Sequence, residues 1–216
     1  MRADEYTERY LVREQFMNLY LVQQVIGSIN IVNNNYHERE LSIGTKSEKI
    51  TPERYITSFK QMEIEQTYTL TLIDDSMICL YYEFNDNEQI IKHELSFLPS
   101  YRIEDGSGEY YDDVSPFELF KRIRNYVRVD FDEVGYKEYI HSLIHAHFGA
   151  EKNNEIRVPV EHVVLPYEFL FFVLKYIYGV DDDELKILHF HHGRQSKLTG
   201  NEKSKLRLLF SDCLLT

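Results

Sequence analysis

The side chains best suited to chemistry are concentrated between residues 126 and 162. This stretch holds four histidines, two arginines and two aspartates spaced two residues apart. Imidazole titrates near neutral pH and binds metal ions, and carboxylate is the other common ligand of catalytic metals. The sequence therefore predicts that a chemical site is built mainly from this stretch.

The beginning of the stretch alternates polar and apolar residues. Successive side chains of a β-strand point to opposite faces of the sheet, so every second residue shares a face. Residues 126–132 are therefore predicted to form a strand with one charged row and one apolar row. The charged row contains Arg128, Asp130 and Asp132, and the apolar row contains Val127, Val129 and Phe131.

Two further strands are predicted after this one. His145 and His147 lie two residues apart and share a face if that segment is extended, and Gly149 ends it. A second strand follows at 155–160, with Arg157 and Pro159 on one side. Because proline cannot donate a ladder hydrogen bond, Pro159 indicates a strand end or a sheet edge.

Three interpretations of these residues remain open. In the first, His145 and His147 move protons while an arginine holds a phosphate. In the second, the histidines and Asp130 ligate a divalent metal such as zinc, manganese or iron. In the third, the same groups form a structural network of hydrogen bonds and ion pairs.

The predicted site residues fall into two groups. The catalytic residues, which are also the possible metal ligands, are His141, His145, His147 and Asp130. The substrate-binding residues are Arg128, Arg157 and His162. A second histidine cluster, HFHHG at 189–193, precedes a basic stretch and is predicted to be a solvated loop that touches a partner or a substrate backbone.

The rest of the chain must position this site. Apolar residues at three- and four-residue spacing predict a helix over residues 6–32, which NNN at 33–35 ends. Short apolar alternations over 36–99, including MEIEQTYTLTLID, predict an antiparallel meander of three or four strands, with a short helix after Pro52. In that meander, Thr67, Thr69 and Thr71 are expected on a wetter face.

The second half of the chain is predicted to contain a loop and several helices. Residues 103–115 are rich in Gly, Asp and Ser and predict an exposed loop. Ser115 then caps a helix that starts at Pro116. Further helices are predicted over 166–178, after the acidic run at 181–184, and over 201–215.

These elements predict an α+β fold with an antiparallel sheet and with helices packed on one face and at the ends. We expect a single domain over residues 1–216. It divides into an N-terminal helical segment (1–35), a sheet-rich core (36–162) and C-terminal helices (163–216).

Composition narrows the classes of function. The formal net charge of −12 argues against a protein that coats nucleic acid through its general field, although a local basic cleft remains compatible with it. Cys79 and Cys213 form no CxxC pair, which favours a reducing cytoplasm. No secretory signal and no membrane-spanning apolar run is evident, so a soluble protein is expected.

The order R-V-D-F-D, H-x-x-x-H-x-H-x-G and R-V-P-V, followed by P-x-E-F, resembles the bacterial domain-of-unknown-function 2290 family. The resemblance covers most of the chain and is carried chiefly by residues 126–178. It implies a prokaryotic cytoplasmic protein with no established activity.

A fainter resemblance runs to small bacterial toxins of the TumE-like type. Arg128 and Asp130 match their R-x-D element, and His145 and His147 match their H-x-H element. Val129 stands where those toxins usually have an aromatic residue.

The leading expectation is an enzyme that cleaves phosphodiester bonds in RNA or nucleotides, in a bacterial toxin or phage-defence setting. One alternative is a non-catalytic subunit that binds a protein partner or a second copy of itself. Another alternative is a metal-dependent hydrolase of small molecules.

Overall fold

The computed structural model describes residues 7–25, 33–34, 36–47, 50–104, 110–111, 115–133, 142–149, 157–188 and 196–198. Several predictions fall outside these residues, namely His141, the HFHHG cluster, Cys213 and the helix over 201–215. The described helices are α1 (Glu8–Val25), α2 (Tyr55–Glu65), α3 (Pro116–Ile123), α4 (Pro166–Phe172) and α5 (Asp182–Leu185). A 3-10 turn, Pro52–Arg54, leads into α2, and a π-helical turn, Val173–Ile177, continues α4.

Eleven short or medium strands are described. They are β1 (Asn33–Asn34), β2 (Glu38–Arg39), β3 (Ser42–Gly44), β4 (Leu70–Thr71), β5 (Met77–Phe84), β6 (Ile90–Leu98), β7 (Ile103–Glu104), β8 (Tyr110–Tyr111), β9 (Val127–Asp132), β10 (Ile144–Phe148) and β11 (Val158–Pro159).

An antiparallel sheet organises the fold. Within the described residues it has nine strands in the order β1-β4-β5-β6-β9-β10-β11, and the hairpin β2–β3 joins it through β3 on β5. Strands β7 and β8 form a separate two-stranded ladder. The α+β prediction with an antiparallel sheet is confirmed, and Pro159 lies in the last strand of the order, as expected for proline.

The two faces of the sheet are covered differently. On one face, alternate residues such as Leu80, Val129 and Phe131 are fully buried in a core that also includes residues of α1 and α4. On the other face, Met77 and Cys79 at one end of β5 pack with residues of α2 in a second cluster. The prediction of helices on one face and at the ends is therefore wrong for α2, which packs on the opposite face.

Helix α2 is longer than its sequence pattern suggested. Its buried residues Tyr55, Phe59 and Met62 recur at the four- and three-residue spacing of a helical face. The alternation of Met62 and Ile64 was assigned to a strand, but both lie in α2, and the side chain of Ile64 is 78% exposed. The packing of one face of α2 against the core therefore decides the secondary structure here, although the apolar residues alternate as they would in a strand.

Two other predictions are also corrected, and one segment forms a strand that was not predicted. Thr69 and Thr71 are buried, not on a wetter face, and the Thr69 hydroxyl accepts a hydrogen bond from Leu80 N. Asn33 and Asn34 pair with β4 as a short strand. The region predicted as a loop over 103–115 contains the paired strands β7 and β8, because extended backbone can satisfy its hydrogen bonds across a hairpin.

Other expectations hold. Helix α1 spans most of the predicted first helix, and the Ser115 hydroxyl caps α3 by accepting a hydrogen bond from Glu118 N. Strand β9 has the predicted alternation, with its three apolar residues buried and its three charged residues partly exposed. Among the described residues, no helix is long and apolar enough to cross a membrane.

Gly44 is the position where the sheet tolerates no side chain. It has φ +92°, and a Cβ atom added there would lie 1.9 Å from the carbonyl oxygen of Leu80. We expect Gly44→Ala to lower the free energy of unfolding by about 2 kcal/mol or more, because positive φ and backbone overlap both oppose it.

Urea denaturation of the purified protein measures this effect. Gly179→Ala is the matched control, because Gly179 has φ +70° but open space around its Cα. It should cost only the conformational strain, about 1 kcal/mol. Equal losses in the two variants would contradict the close-approach argument.

Candidate catalytic cluster on the sheet

The register of three neighbouring strands assembles the predicted site. Asp130 of β9 lies opposite Glu94 of β6 on one side and opposite His145 of β10 on the other. Arg128 likewise lies between Ser96 and His147. Directly opposed residues of antiparallel strands share a face, so these six residues form two adjacent polar rows. We call this group the polar cluster.

Asp130 lies at the centre of the polar cluster. Its Oδ2 atom accepts hydrogen bonds from Arg128 Nε at 2.9 Å and from Arg128 Nη2 at 2.7 Å. The Nε2 atoms of His147 and His145 lie 3.5 Å and 3.7 Å from the same oxygen. The two imidazole rings meet edge to face with centroids 4.8 Å apart. One carboxylate thus faces a guanidinium and two imidazoles.

The orientation of His145 is fixed by the backbone. Its Nδ1 atom lies 3.0 Å from the carbonyl oxygen of Ser142. A carbonyl oxygen can only accept, so Nδ1 carries a proton, and Nε2 is the ring nitrogen that lies nearest to Asp130. The side chain of His145 is only 2% exposed. His145 is therefore held in one orientation, as expected of a general base or a metal ligand.

His147 is more exposed to solvent than His145. Its side chain is 14% exposed, and its buried Nε2 atom makes no hydrogen bond with any residue that the structure describes. A buried ring nitrogen without a hydrogen bond is costly unless a ligand, a proton or a metal ion satisfies it. His147 is the member of the polar cluster best placed to gain a partner.

Charge balance within the polar cluster controls its titration. Burial raises the pKa of Asp130, but contact with His147 and the charge of Arg128 outweigh burial, so that the pKa falls to about 2. Asp130 is therefore anionic at neutral pH. Burial and the nearby charge of Asp130 both raise the pKa of Glu94, and Ser47 and Arg128 only partly offset them.

Sequence analysis missed the β6 side of the polar cluster. Ser47 Oγ donates to Glu94 Oε1 at 3.0 Å and lies 3.1 Å from Ser96 Oγ. Burial raises the pKa of Tyr126 to about 12, although a hydrogen bond with Ser96 acts in the opposite direction. A weaker signal was present, since Lys92, Glu94 and Ser96 lie two residues apart in β6 and alternate with His93, Leu95 and Phe97.

The other predicted site residues differ in their distance from the polar cluster. Arg157 is exposed and comes just before β11, and continuing the β10–β11 register by one residue puts it opposite His147. His162 Nε2 lies 3.6 Å from Oε1 of Glu168, a buried residue of α4, which packs on the opposite face of the sheet. His141 lies outside the described residues. The structure therefore brings together Arg128, Asp130, His145 and His147.

The geometry also suits a metal ion. One oxygen of Asp130 and one nitrogen of each histidine lie within 4.8 Å of one another. In a tetrahedral site with bonds of about 2.1 Å, ligand atoms are about 3.4 Å apart. The 3.5 Å and 3.7 Å separations from Asp130 are close to that spacing. Arg128 is the opposing feature, since its cation already neutralises the carboxylate.

Fold and site together define an α+β protein with a two-histidine, one-carboxylate cluster on one face of an antiparallel sheet. The chain belongs to the family described as uncharacterized conserved protein (DUF2290), whose sequence profile matches residues 12–210. No curated protein and no solved structure matches the chain significantly.

The lowered pKa of Asp130 predicts an acid-sensitive stability. A carboxyl whose folded pKa is about 2, against an ordinary 3.8, stabilises the fold fully above pH 3.8 and loses this contribution as pH falls through about 2. In chelator-treated protein we expect Asp130→Asn to lower the free energy of unfolding at pH 7 by about 2 kcal/mol. Below pH 2 this difference should disappear.

Urea denaturation at a series of pH values measures this dependence. Asp183→Asn is the control, because Asp183 is a largely exposed carboxylate that pairs with Lys186 at the surface. That variant should follow the parent protein at every pH. An Asp130→Asn protein with the parent's stability at pH 7 would refute the ion-pair account.

Proposed function

We propose that the chain is a phosphodiesterase that cleaves RNA at the polar cluster. The observation that carries the proposal is the convergence of two imidazole Nε2 atoms on one anionic carboxylate, beside a guanidinium. Cleavage of RNA by its own 2′-hydroxyl needs a base, an acid and a cation near the phosphate. The polar cluster offers all three.

The proposed reaction assigns the base to His145. Its Nε2 lone pair takes the proton from the 2′-hydroxyl, and the 2′-oxygen attacks phosphorus. Protonated His147 gives its proton to the departing 5′-oxygen, so that the bond from phosphorus to that oxygen breaks. The products are a 2′,3′-cyclic phosphate and a free 5′-hydroxyl. Asp130 stabilises whichever imidazole is protonated, because it remains anionic.

Arg128 would neutralise the phosphate during this reaction. Its Nε and Nη2 atoms bind Asp130, which leaves Nη1 for a phosphate oxygen. The side chain is 25% exposed, so the guanidinium is accessible from the open side of the sheet. Arg157, which is exposed and lies just before β11, is the second proposed phosphate ligand.

The proposed setting is a bacterial toxin or phage-defence system in the cytoplasm. It is supported by the likeness of Arg128–Asp130 and His145–His147 to the R-x-D and H-x-H elements of TumE-like toxins. The buried free thiol of Cys79 suits a reducing compartment. A protein partner or a second copy of the chain is part of this proposal.

Substitution of the two histidines tests the activity. We expect His145→Ala and His147→Ala each to lower the rate of cleavage of labelled single-stranded RNA by about 10²- to 10⁴-fold, the usual loss of a general acid or base. Analysis of the product ends should detect cyclic phosphate. The parent protein should show a bell-shaped dependence of rate on pH.

The control separates chemistry from folding. Asp183→Asn should cleave at the parent rate, and circular dichroism should show that all variants are folded. Undiminished cleavage by a folded His147→Ala protein would refute the proposed mechanism. Absence of cleavage by the parent protein would favour the non-catalytic subunit.

A metal-dependent hydrolase is the second candidate, and a specific observation favours it. The separations from Asp130 Oδ2 to the Nε2 atoms of His147 and His145 are close to tetrahedral spacing, and one ligand atom from each of the three residues lies within 4.8 Å of the others. Such a metal would activate a water molecule as the nucleophile. His147 would then be a ligand and not an acid.

Metal content distinguishes the two candidates. If the second candidate is correct, equilibrium dialysis against Zn²⁺ or Mn²⁺ should give one ion per chain, and His147→Ala should weaken binding at least about 10-fold. Chelator should then abolish the activity. Cleavage of RNA by a metal-free protein in the presence of chelator would exclude the metal-dependent hydrolase and support the acid-base mechanism.

A further inference from the structure

A cavity of about 650 Å³ lies on the same face of the sheet as the polar cluster. Its walls come from the β2–β3 hairpin, from β5 and from the C-terminal end of α2. The strand pairing gives the position of the cavity relative to the polar cluster. Gly44 and Tyr81, which line the cavity, lie opposite each other, and Tyr81 also lies opposite Glu94 on its other side. Glu94 in turn lies opposite Asp130. The cavity and the polar cluster are therefore neighbours across Tyr81 and Glu94.

The distance between them suits a short polymer segment. Tyr81 and Asp130 are two strands apart, which corresponds to about 10 Å. An extended single strand of RNA covers that distance in one or two nucleotides. A strand that is cleaved at the polar cluster would therefore bring a flanking nucleotide to the cavity.

The lining offers the groups that recognise a nucleotide. Tyr36 and Tyr81 contribute aromatic rings, and Arg39 and Lys46 contribute cations. The hydroxyl of Thr45 is buried and makes no hydrogen bond with any described residue. A buried hydroxyl in a cavity wall gains from a ligand that supplies a polar atom. The volume lies within the range of small-molecule sites, about 300 to 1,000 Å³.

Two carboxylates also line the cavity and need an explanation. Glu38 is offset by two ion pairs, since Arg9 and Arg13 each lie 3.1 Å from one of its oxygens. Glu65 lies at the end of α2. Carboxylate oxygens accept hydrogen bonds from the exocyclic amino groups of bases. The carboxylates therefore suit the base of a nucleotide, while the cations suit its phosphate.

Lys46 connects the cavity with the polar cluster. Its Nζ atom lies 3.9 Å from Glu94 Oε2 and 5.8 Å from the centroid of the Tyr81 ring. An ammonium group in this position can turn from Glu94 to a phosphate that links a base in the cavity to the scissile phosphate. The Tyr81 hydroxyl donates to Glu83 at 2.7 Å, which holds the ring in place.

We propose that this cavity binds the nucleotide next to the scissile phosphate of a single-stranded RNA. The base stacks on Tyr81, and Lys46 holds the linking phosphate. This inference rests on the proposed RNA cleavage. Single-stranded substrate follows because a base can enter a walled cavity only when it is unpaired and unstacked.

Binding of nucleoside 5′-monophosphates tests the cavity without requiring catalysis. We expect AMP, CMP, GMP or UMP to bind the parent protein and His147→Ala equally, as measured by saturation-transfer NMR and competition. Tyr81→Ala should weaken binding by about 10-fold or more, since a base loses its stacking partner. Tyr81→Phe should retain binding, because it keeps the ring.

Lysine variants test the linking phosphate. Lys46→Gln should raise the KM for an RNA oligonucleotide by about 10-fold with kcat little changed, because it removes binding and not chemistry. Lys92→Gln is the matched control, since Lys92 lies on the same face of β6 and pairs with Asp132. It should behave as the parent protein.

The outcomes separate this inference from the proposed reaction. RNA cleavage without mononucleotide binding, or with a KM that neither Tyr81→Ala nor Lys46→Gln raises, would overturn the cavity assignment and leave the reaction intact. Mononucleotide binding that Tyr81→Ala abolishes, in a protein that cleaves no RNA, would support the cavity and overturn the reaction.

Discussion

The pairing register of β6, β9 and β10 is the constraint on which the site depends. A slip of one residue would turn Arg128 and Asp130 to the apolar face and bring Val129 to the polar one. The register is held by the fully buried side chains of Val129 and Phe131, which pack in the larger core. The geometry of the polar cluster is therefore maintained mainly by apolar packing on the opposite face of the same strands.

The polar cluster lowers the stability of the fold in one respect, because it places charged side chains where water reaches them poorly. Asp130 and Arg128 are partly withdrawn from water, and removal of Asp130 would leave Arg128 as a partly buried, unpaired charge, at the cost of about 2 kcal/mol that follows from the lowered pKa of Asp130. Their pairing makes this part of the polar cluster nearly neutral. The raised pKa of Glu94 follows from the same cause, because a second carboxylate beside Asp130 is less readily ionised. A cluster balanced in this way can accept one more charge, such as a phosphate, an imidazolium or a metal ion.

Much of the sheet and the centre of the site could be predicted from alternation along single strands. The charged row of β9 and the histidine pair of β10 follow directly from period-two patterns, since one face of each strand packs in the core. Glu94 is not among the predicted site residues, because His93 interrupts the alternation in β6 and the pairing of β6 with β9 cannot be inferred from either strand alone. The pairing of His162 with Glu168 needs the position of α4, which local sequence does not give. The strand predicted over MEIEQTYTLTLID is wrong for its first four residues, which lie in α2, because packing of one helical face decides between two periodicities.

The end of α2 explains why part of the polar face stays open. Gln66 caps this helix in a left-handed conformation, with φ 53°, and the chain then turns away into β4. The helix thus packs on Met77 and Cys79 but stops beside Tyr81, where its last turn becomes a wall of the cavity. A longer helix would cover Tyr81 and Glu94 and bury their polar atoms without partners, which is unfavourable. The helix ending thus leaves the polar rows accessible, and any substrate of the polar cluster must approach along them.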